Sequence, residues 1–313
     1  MTDRRRVAAI DCGTNSIRLL VAESDGAGGL VELDRQTMIV RLGQGVDATG
    51  EFHPDALART FAATDRYAEL IRAAGVSEAH VHFVATSASR DAANREDFFA
   101  GIEARLGVRP DVISGDTEAR LSFTGALSRT QPGSEPVLVM DVGGGSTELI
   151  VGSAAGTLQS AISLDIGSVR LTERFLMTSP PAAADLAAAA GHVDRLLDGC
   201  GVDFATIGSW IGVAGTATTL AGVYLQLETY DREQVHGARL PREELATMLG
   251  RLSALTVAEI RALPSMHPGR ADVVTAGTLI ANRVASRVPV SELIVSESDI
   301  LDGIALGLLT AQH

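Results

Sequence analysis

Two stretches dominate the hydrophobic pattern of the chain. Val7–Ile10 is an apolar run closed by Asp11, followed by a short polar stretch and a second apolar run ending at Val21. Val137–Val151 repeats this 130 residues later, with Asp141 in the place of Asp11 and identical residues at six of the 15 positions. An apolar run, an acid, a turn and a returning apolar run predict a β-hairpin with the acid at the end of its first strand. Two such hairpins predict two halves of similar design.

The remaining pattern alternates strand and helix signals. Gly29–Leu33, Met38–Leu42, Val81–Ala85 and Val112–Ile113 read as strands in the first half. Pro54 opens a helical stretch to Ala74, where a first-turn proline is tolerated because its missing N–H would lack a partner. Phe98–Leu106 and about Asp116–Ser128 read as further helices. The Pro- and Gly-containing stretch Gln131–Pro136 is the expected boundary. Beyond it, Leu158–Leu164, Trp210–Val213 and Leu293–Val295 read as strands. Ala182–Leu197, the segment after Gly215, Pro241–Ser253, Arg270–Arg287 and Ile300–Leu309 read as helices. Short connections between mixed elements predict an α/β protein, with domains over 1–128 and 129–313.

Composition narrows the chemistry. With 313 residues, 46% hydrophobic and 21% charged, the chain can build sizeable cores and is not generally disordered. A net charge of −13 argues against nonspecific nucleic-acid binding. It leaves room for a small anionic substrate in a locally basic site. All 26 basic residues are Arg, so any side-chain cation on a phosphate is Arg or a protonated His. Arg4–Arg6 precede too short an apolar run for a signal peptide, and no stretch reaches the ~20 apolar residues of a spanning helix. The expectation is a cytoplasmic protein with no membrane partner. Cys12 and Cys200 show no metal or disulfide spacing. Cys12 reads as a small residue packed in a turn, with a redox or nucleophilic role as the alternative.

The sharpest chemical feature is Gly143-Gly144-Gly145-Ser146-Thr147. Consecutive glycines let backbone approach a ligand and accept left-handed conformations, and successive amides can form an anion-binding concavity. Ser146 and Thr147 add hydroxyls. Asp141 is placed to hold a metal, and Mg²⁺ is usually held by one or two carboxylates plus substrate phosphates. Asp11-Cys-Gly-Thr14-Asn15-Ser16 duplicates the arrangement. His80 and His82 share one strand face, and with no third ligand evident they read as packing or surface residues.

The paired Asp–Gly hairpins resemble the phosphate loops of the actin, sugar-kinase and chaperone-ATPase superfamily. Val213-Ala-Gly215-Thr216-Ala-Thr-Thr-Leu220 resembles its third glycine element. Val84-Ala-Thr-Ser-Ala-Ser-Arg90-Asp-Ala-Ala-Asn94, Val112-Ile-Ser-Gly-Asp-Thr-Glu118-Ala-Arg120-Leu, Val137–Val151, Ser163-Leu-Asp-Ile-Gly-Ser-Val-Arg170-Leu-Thr-Glu173 and Val235-His236-Gly237 are similar, in order, to segments of the exopolyphosphatase/guanosine pentaphosphate phosphohydrolase family. The resemblance spans nearly the whole chain. It implies two ribonuclease H-like (actin-like) domains facing each other across a cleft, with a final helix, about 300–313, packing back on the first. It also allows a homodimer.

The resemblance implies roles. Glu118 would be the general base, and Arg90 would bind phosphate and stabilise charge on the transferring group. Arg18 is a second candidate for that task, against the reading of an ordinary strand arginine. Asp141 and Glu148 would hold Mg²⁺ or Mn²⁺, with Asp11 as their counterpart. Thr14, Asn15, Ser16, the loop Gly143–Thr147, Gly215 and Thr216 would line the substrate. His236 stands between a cleft and a packing role. Thr117 and Leu301 depart from the family pattern, which has an acid and an Arg there. The implied activity is release of terminal phosphate from inorganic polyphosphate, short chains above all. Alternatives are hydrolysis of guanosine pentaphosphate, an ATPase or kinase of the same superfamily, and a sensor of polyphosphate or nucleotide without turnover.

Overall fold

The computed structural model describes residues 5–310. Residues 1–4 and 311–313, among them Arg4 and the end of the helix expected over 300–313, lie outside the described residues. The chain groups into two compact units, Met1–Ser128 with Ile300–His313, and Arg129–Asp299.

In the first unit, β1 (Arg6–Cys12), β2 (Ser16–Ser24), β3 (Leu30–Ile39), β4 (Val81–Ala85) and β5 (Asp111–Val112) form one sheet in the order β3-β2-β1-β4-β5. The first three strands form an antiparallel meander, and β4 and β5 continue in parallel. Strand side chains alternate between faces, and both faces of β1 are covered. Ala8, Ile10 and Cys12 join a core with Tyr67, Phe83 and Phe98, under the helices Pro54–Ala73 and Arg95–Leu106. Val7 and Ala9 join a second core with Val84, Leu301, Ile304 and Ala305, closed by the helix Ile300–Thr310. Leu301, where the family carries Arg, is one of these core residues.

One expectation fails here. The sequence reading breaks the chain at Asp34-Arg35-Gln36-Thr37 into two strands, whereas β3 runs unbroken through all four. β3 is an edge strand, so polar side chains need not end it. Gln36 donates to Asp34 at 2.7 Å, and Arg35 donates to Glu32 at 2.8 Å and to buried Asp302 at 2.9 Å.

In the second unit, β6 (Val137–Val142), β7 (Thr147–Gly152), β8 (Leu158–Leu164), β9 (Ser209–Val213), β10 (Arg239–Pro241) and β11 (Glu292–Val295) form a sheet ordered β10-β11-β9-β6-β7-β8. Its meander β6-β7-β8 and parallel neighbour β9 repeat the arrangement of β1-β2-β3 and β4. The duplicated hairpins thus sit at equivalent places in two sheets of one design. Trp210, Leu138, Leu220 and Leu279 lie in a single large core. The helix expected over Arg270–Arg287 is shorter, Val274–Ala285, because Arg270 ends a separate turn, Pro268–Arg270. A helix not expected from the sequence, Ser168–Phe175, follows β8. Among the described residues, no helix is long and apolar enough to cross a membrane.

Candidate active site

Each hairpin closes its turn in the same way. Gly13 donates its amide to the Ser16 carbonyl at 3.0 Å, and Gly143 donates to Ser146 at 3.0 Å. The carbonyls inside each turn are then pinned from outside. Gly43 donates to the Thr14 carbonyl, and Val40 and Arg41 donate to that of Asn15. In the second loop, Ser168 donates to the Gly143 carbonyl, and Val169 and Arg170 donate to that of Gly144. These last donors are the first amides of the helix Ser168–Phe175. With carbonyls held back, the amides of Thr14 and Asn15, and of Gly144 and Gly145, have no hydrogen-bond partner among the described residues. Adjacent unpartnered amides are the donor arrangement an anion requires.

In the second loop Gly143 serves space, since a Cβ there would stand 3.2 Å from the Ser146 carbonyl. Gly143 does not adopt a left-handed conformation, contrary to the use expected for it. The tightest contact is from Gly167, where a Cβ would stand 2.4 Å from the Gly144 carbonyl and 2.6 Å from the Gly145 nitrogen.

The two hairpins differ in what faces their acids. Arg18 lies directly opposite Asp11 across β1 and β2. Its Nη2 donates to Asp11 Oδ2 at 2.6 Å and its Nε to the same oxygen at 3.0 Å. In the second hairpin, Glu148 lies directly opposite Asp141. Both are buried, at 7% and 1% exposure for Asp141 and Glu148. The Ser163 hydroxyl, on β8, donates to Glu148 Oε1 at 2.7 Å. Two facing carboxylates are the oxygen ligands a hard divalent cation takes, whereas the first hairpin sets an Arg opposite its acid. Among the described residues, no three His, Cys, Asp or Glu side chains form a metal-holding group. Of the residues expected on a metal, Asp141 and Glu148 face each other within the second unit, and Asp11 binds Arg18 within its own hairpin in the first. Arg18, expected on a phosphate, is engaged there too.

Arg90 and Glu118 meet. Thr86, just past β4, donates its amide to the Cys12 carbonyl at 3.2 Å, which ties this segment to the end of β1. Arg90 follows on the short helix Ser87–Asp91. Its Nη1 donates to the Ile113 carbonyl and to Glu118 Oε2, both at 2.9 Å. Glu118 is buried in the first turn of the helix Gly115–Arg129, where the helix dipole favours a carboxylate. Ser114 Oγ accepts the Thr117 amide at 3.2 Å and pairs with the Thr117 hydroxyl at 3.1 Å. Thr117, in the place of a family acid, thus helps to cap the helix.

Two other residues expected to line the substrate turn their hydroxyls to backbone. The Thr147 hydroxyl is fully buried and donates to the Ile166 carbonyl at 2.6 Å. The Thr216 hydroxyl donates to the Val142 carbonyl at 2.8 Å. Both brace the second loop. Ser146 is buried beside it. Gly215 opens the helix after β9, and the Arg270 guanidinium fills the space its side chain would need. His236 Nδ1 accepts the Glu297 amide at 3.2 Å, a bracing role. His82 pairs with Asp111 and His80 with Ser77, both at the surface. Cys12 is buried, and burial together with Asp11 pushes its thiol pKa well up, so it stays protonated.

Sequence reasoning missed the role of Ser163, which lay within a recognised segment but had no assigned task. It also missed Arg270, whose approach to Gly215 spans a separation that no local pattern reveals.

Residues 20–312 match the Ppx/GppA phosphatase family. The chain is 44% identical to "Exopolyphosphatase 2" of Mycobacterium tuberculosis, over 97% of this chain and 98% of that protein. A crystal structure of an exopolyphosphatase-like protein superposes with a TM-score of 0.93 at 41% identity, covering 98% of each chain. The Ppx/GppA family member of Aquifex aeolicus superposes with a TM-score of 0.80 at 29% identity, covering 97% of each.

Proposed function

The chain belongs to the Ppx/GppA phosphatase family, and from that premise we propose that it is an exopolyphosphatase, releasing terminal orthophosphate from inorganic polyphosphate. Its fold is that of the family, mixed α/β with two actin-like domains. The observation that carries the reading is the Arg90–Glu118 contact at 2.9 Å. A buried carboxylate oriented by a guanidinium is suited to take the proton of an attacking water. Water oxygen bonds to the terminal phosphorus, the bond to the bridging oxygen breaks, and orthophosphate leaves. A positioned base of this kind contributes roughly 10²–10⁴-fold. Arg90 also carries the positive charge that a transferring phosphoryl group calls for.

The loop amides of Thr14, Asn15, Gly144 and Gly145 serve phosphate oxygens, which suits a chain without Lys. Asp141 and Glu148 fit a hard divalent cation, Mg²⁺ or Mn²⁺. Such an ion is usually held by one or two carboxylates with substrate phosphates completing its shell, and Asp141 and Glu148 supply two that face each other. When bound, such an ion neutralises charge on phosphoryl oxygens.

The test is phosphate release by purified protein with Mg²⁺ or Mn²⁺, across polyphosphate lengths and with guanosine pentaphosphate in competition. Release from polyphosphate, fastest on short chains, is expected. Release from guanosine pentaphosphate alone would reassign the substrate, and release from neither would overturn the reading.

A further inference from the structure

Three residues stand in register across the second meander: Asp141 on β6, Glu148 on β7 and Ser163 on β8. Directly opposite residues share one face of a sheet. We infer that Ser163 is a positioning residue that sets the Glu148 carboxylate for a divalent cation. This rests on the functional reading above and deepens it.

A glutamate carboxylate turns broadly about its last torsion. With one oxygen held by the Ser163 hydroxyl at 2.7 Å, the plane of the Glu148 carboxylate is set. A hydroxyl that donates to an ionised carboxylate makes a stronger hydrogen bond than a neutral one. Ser163 has no packing duty that would otherwise explain it, because it is exposed on an edge strand. The first unit supplies an internal comparison. There the same register runs Asp11, Arg18, Thr37. Arg18 stands in the place of Glu148 and binds Asp11 directly, and the Thr37 hydroxyl has no partner among the described residues. The strand hydroxyl is engaged only where the middle residue is an acid. Residues that orient ligating carboxylates typically control about 10–100-fold in metal affinity.

The experiment compares full-length wild type, Ser163→Ala and Ser163→Thr. Mn²⁺ binding is read from the free-ion EPR signal in the presence of inorganic phosphate, alongside the Mg²⁺ dependence of phosphate release from polyphosphate. Ser163→Ala should raise the Mn²⁺ dissociation constant and the half-activating Mg²⁺ concentration about 10-fold. Ser163→Thr, which keeps the hydroxyl, should restore both. Wild-type Mn²⁺ affinity in Ser163→Ala would overturn the inference, as would equal losses in the Ala and Thr variants. If Ser163→Ala does not fold, the Thr variant with Ser163→Cys, a weaker donor, must give the same order of affinities. A wild type that binds Mn²⁺ but releases no phosphate would sink the exopolyphosphatase reading and leave the Ser163 comparison to decide this one. A wild type that binds no Mn²⁺ would overturn the inference outright.

Discussion

Arg18 grips Asp11 from the facing strand, with its Nη2 2.6 Å from Oδ2, at the position where the second hairpin places Glu148 opposite Asp141. One exchange in a repeated hairpin turns a neutral pair into a pair of acids. Asp11 and Arg18 are largely buried, with side-chain exposures of 7% and 13%. Removing one member of such a pair leaves a desolvated charge, which costs about 3–5 kcal/mol. Arg18→Ala should lose roughly that much in urea denaturation. The double variant Asp11→Leu/Arg18→Met should recover most of it, because both charges go together. Additive losses would show that the two residues do not act as a pair.

Glu118 and Arg90 should separate in their kinetics. Glu118→Gln keeps the shape and an acceptor for Arg90 but removes the base. Phosphate release from polyphosphate should fall ~10²–10⁴-fold, with polyphosphate binding, measured by calorimetry, little changed. Arg90→Lys should not rescue Arg90→Ala. Arg90 Nη1 reaches both Ile113 O and Glu118 Oε2, and an ammonium is a more strongly hydrated point charge on a different stem that does not reproduce that placement.

How far the sequence reached follows from what kind of interaction each feature needs. The hairpins at Asp11 and Asp141 were legible because strand, acid and turn are contiguous, and β1, β2, β6 and β7 stand where the pattern puts them. The two-sheet α/β fold followed from their repetition. β3 was misread because edge position, a property of the assembled sheet, decides whether Asp34–Thr37 interrupt a strand. The helix Ser168–Phe175 was missed although its residues lay in a recognised motif. Its task, to hold the Gly143 and Gly144 carbonyls, exists only once the chain is folded. Hydroxyl roles were least legible, since Thr147 and Ser163 look alike in sequence and one braces backbone while the other touches an acid.

Gly167 is a sharper probe of the second loop than the loop glycines themselves. A Cβ there meets backbone at 2.4 Å, which cannot swing aside as a side chain can. Gly167→Ala should cost about 1–3 kcal/mol by overpacking, and should also slow phosphate release by displacing the Gly144 and Gly145 amides. Gly250 is the control, since it lies inside the helix Arg242–Ser253 with nothing within 4 Å of a new Cβ. Gly250→Ala should stabilise by ~0.5–1 kcal/mol and leave activity unchanged. Loss of activity in both variants would mean that the loop is not what Gly167 disturbs.

Cys12 should be silent to thiol reagents in the native protein. Burial first, and the Asp11 charge second, push its pKa well above the ordinary value, and only the thiolate reacts. Iodoacetamide at pH 8 should label Cys12 only after denaturation, as read by peptide mass spectrometry. Rapid native labelling with loss of activity would revive a nucleophilic role for this residue.

Asp194 offers a pH test within the second unit. Burial opposes its ionisation, yet the hydrogen bonds from Arg283 and Arg287 outweigh burial, and its pKa is lowered. Arg283 binds it with both ends of the guanidinium fork, Nε to Oδ1 at 2.7 Å and Nη2 to Oδ2 at 2.8 Å. Because the folded value lies below the unfolded one, near ~3.9, the contribution is fully present above that pH. It is lost as pH falls through the lower, folded value. Charge-assisted hydrogen bonds of this kind are worth about 1.5–3 kcal/mol, and partial exposure of Asp194 places the expected loss toward the lower end. Asp194→Asn should therefore be less stable than wild type at pH 7 in urea, and the gap should narrow as pH drops below ~4. A gap that stays constant down to pH 3 would mean that the carboxylate's charge is not what links the helices Ala183–Gly199 and Val274–Ala285.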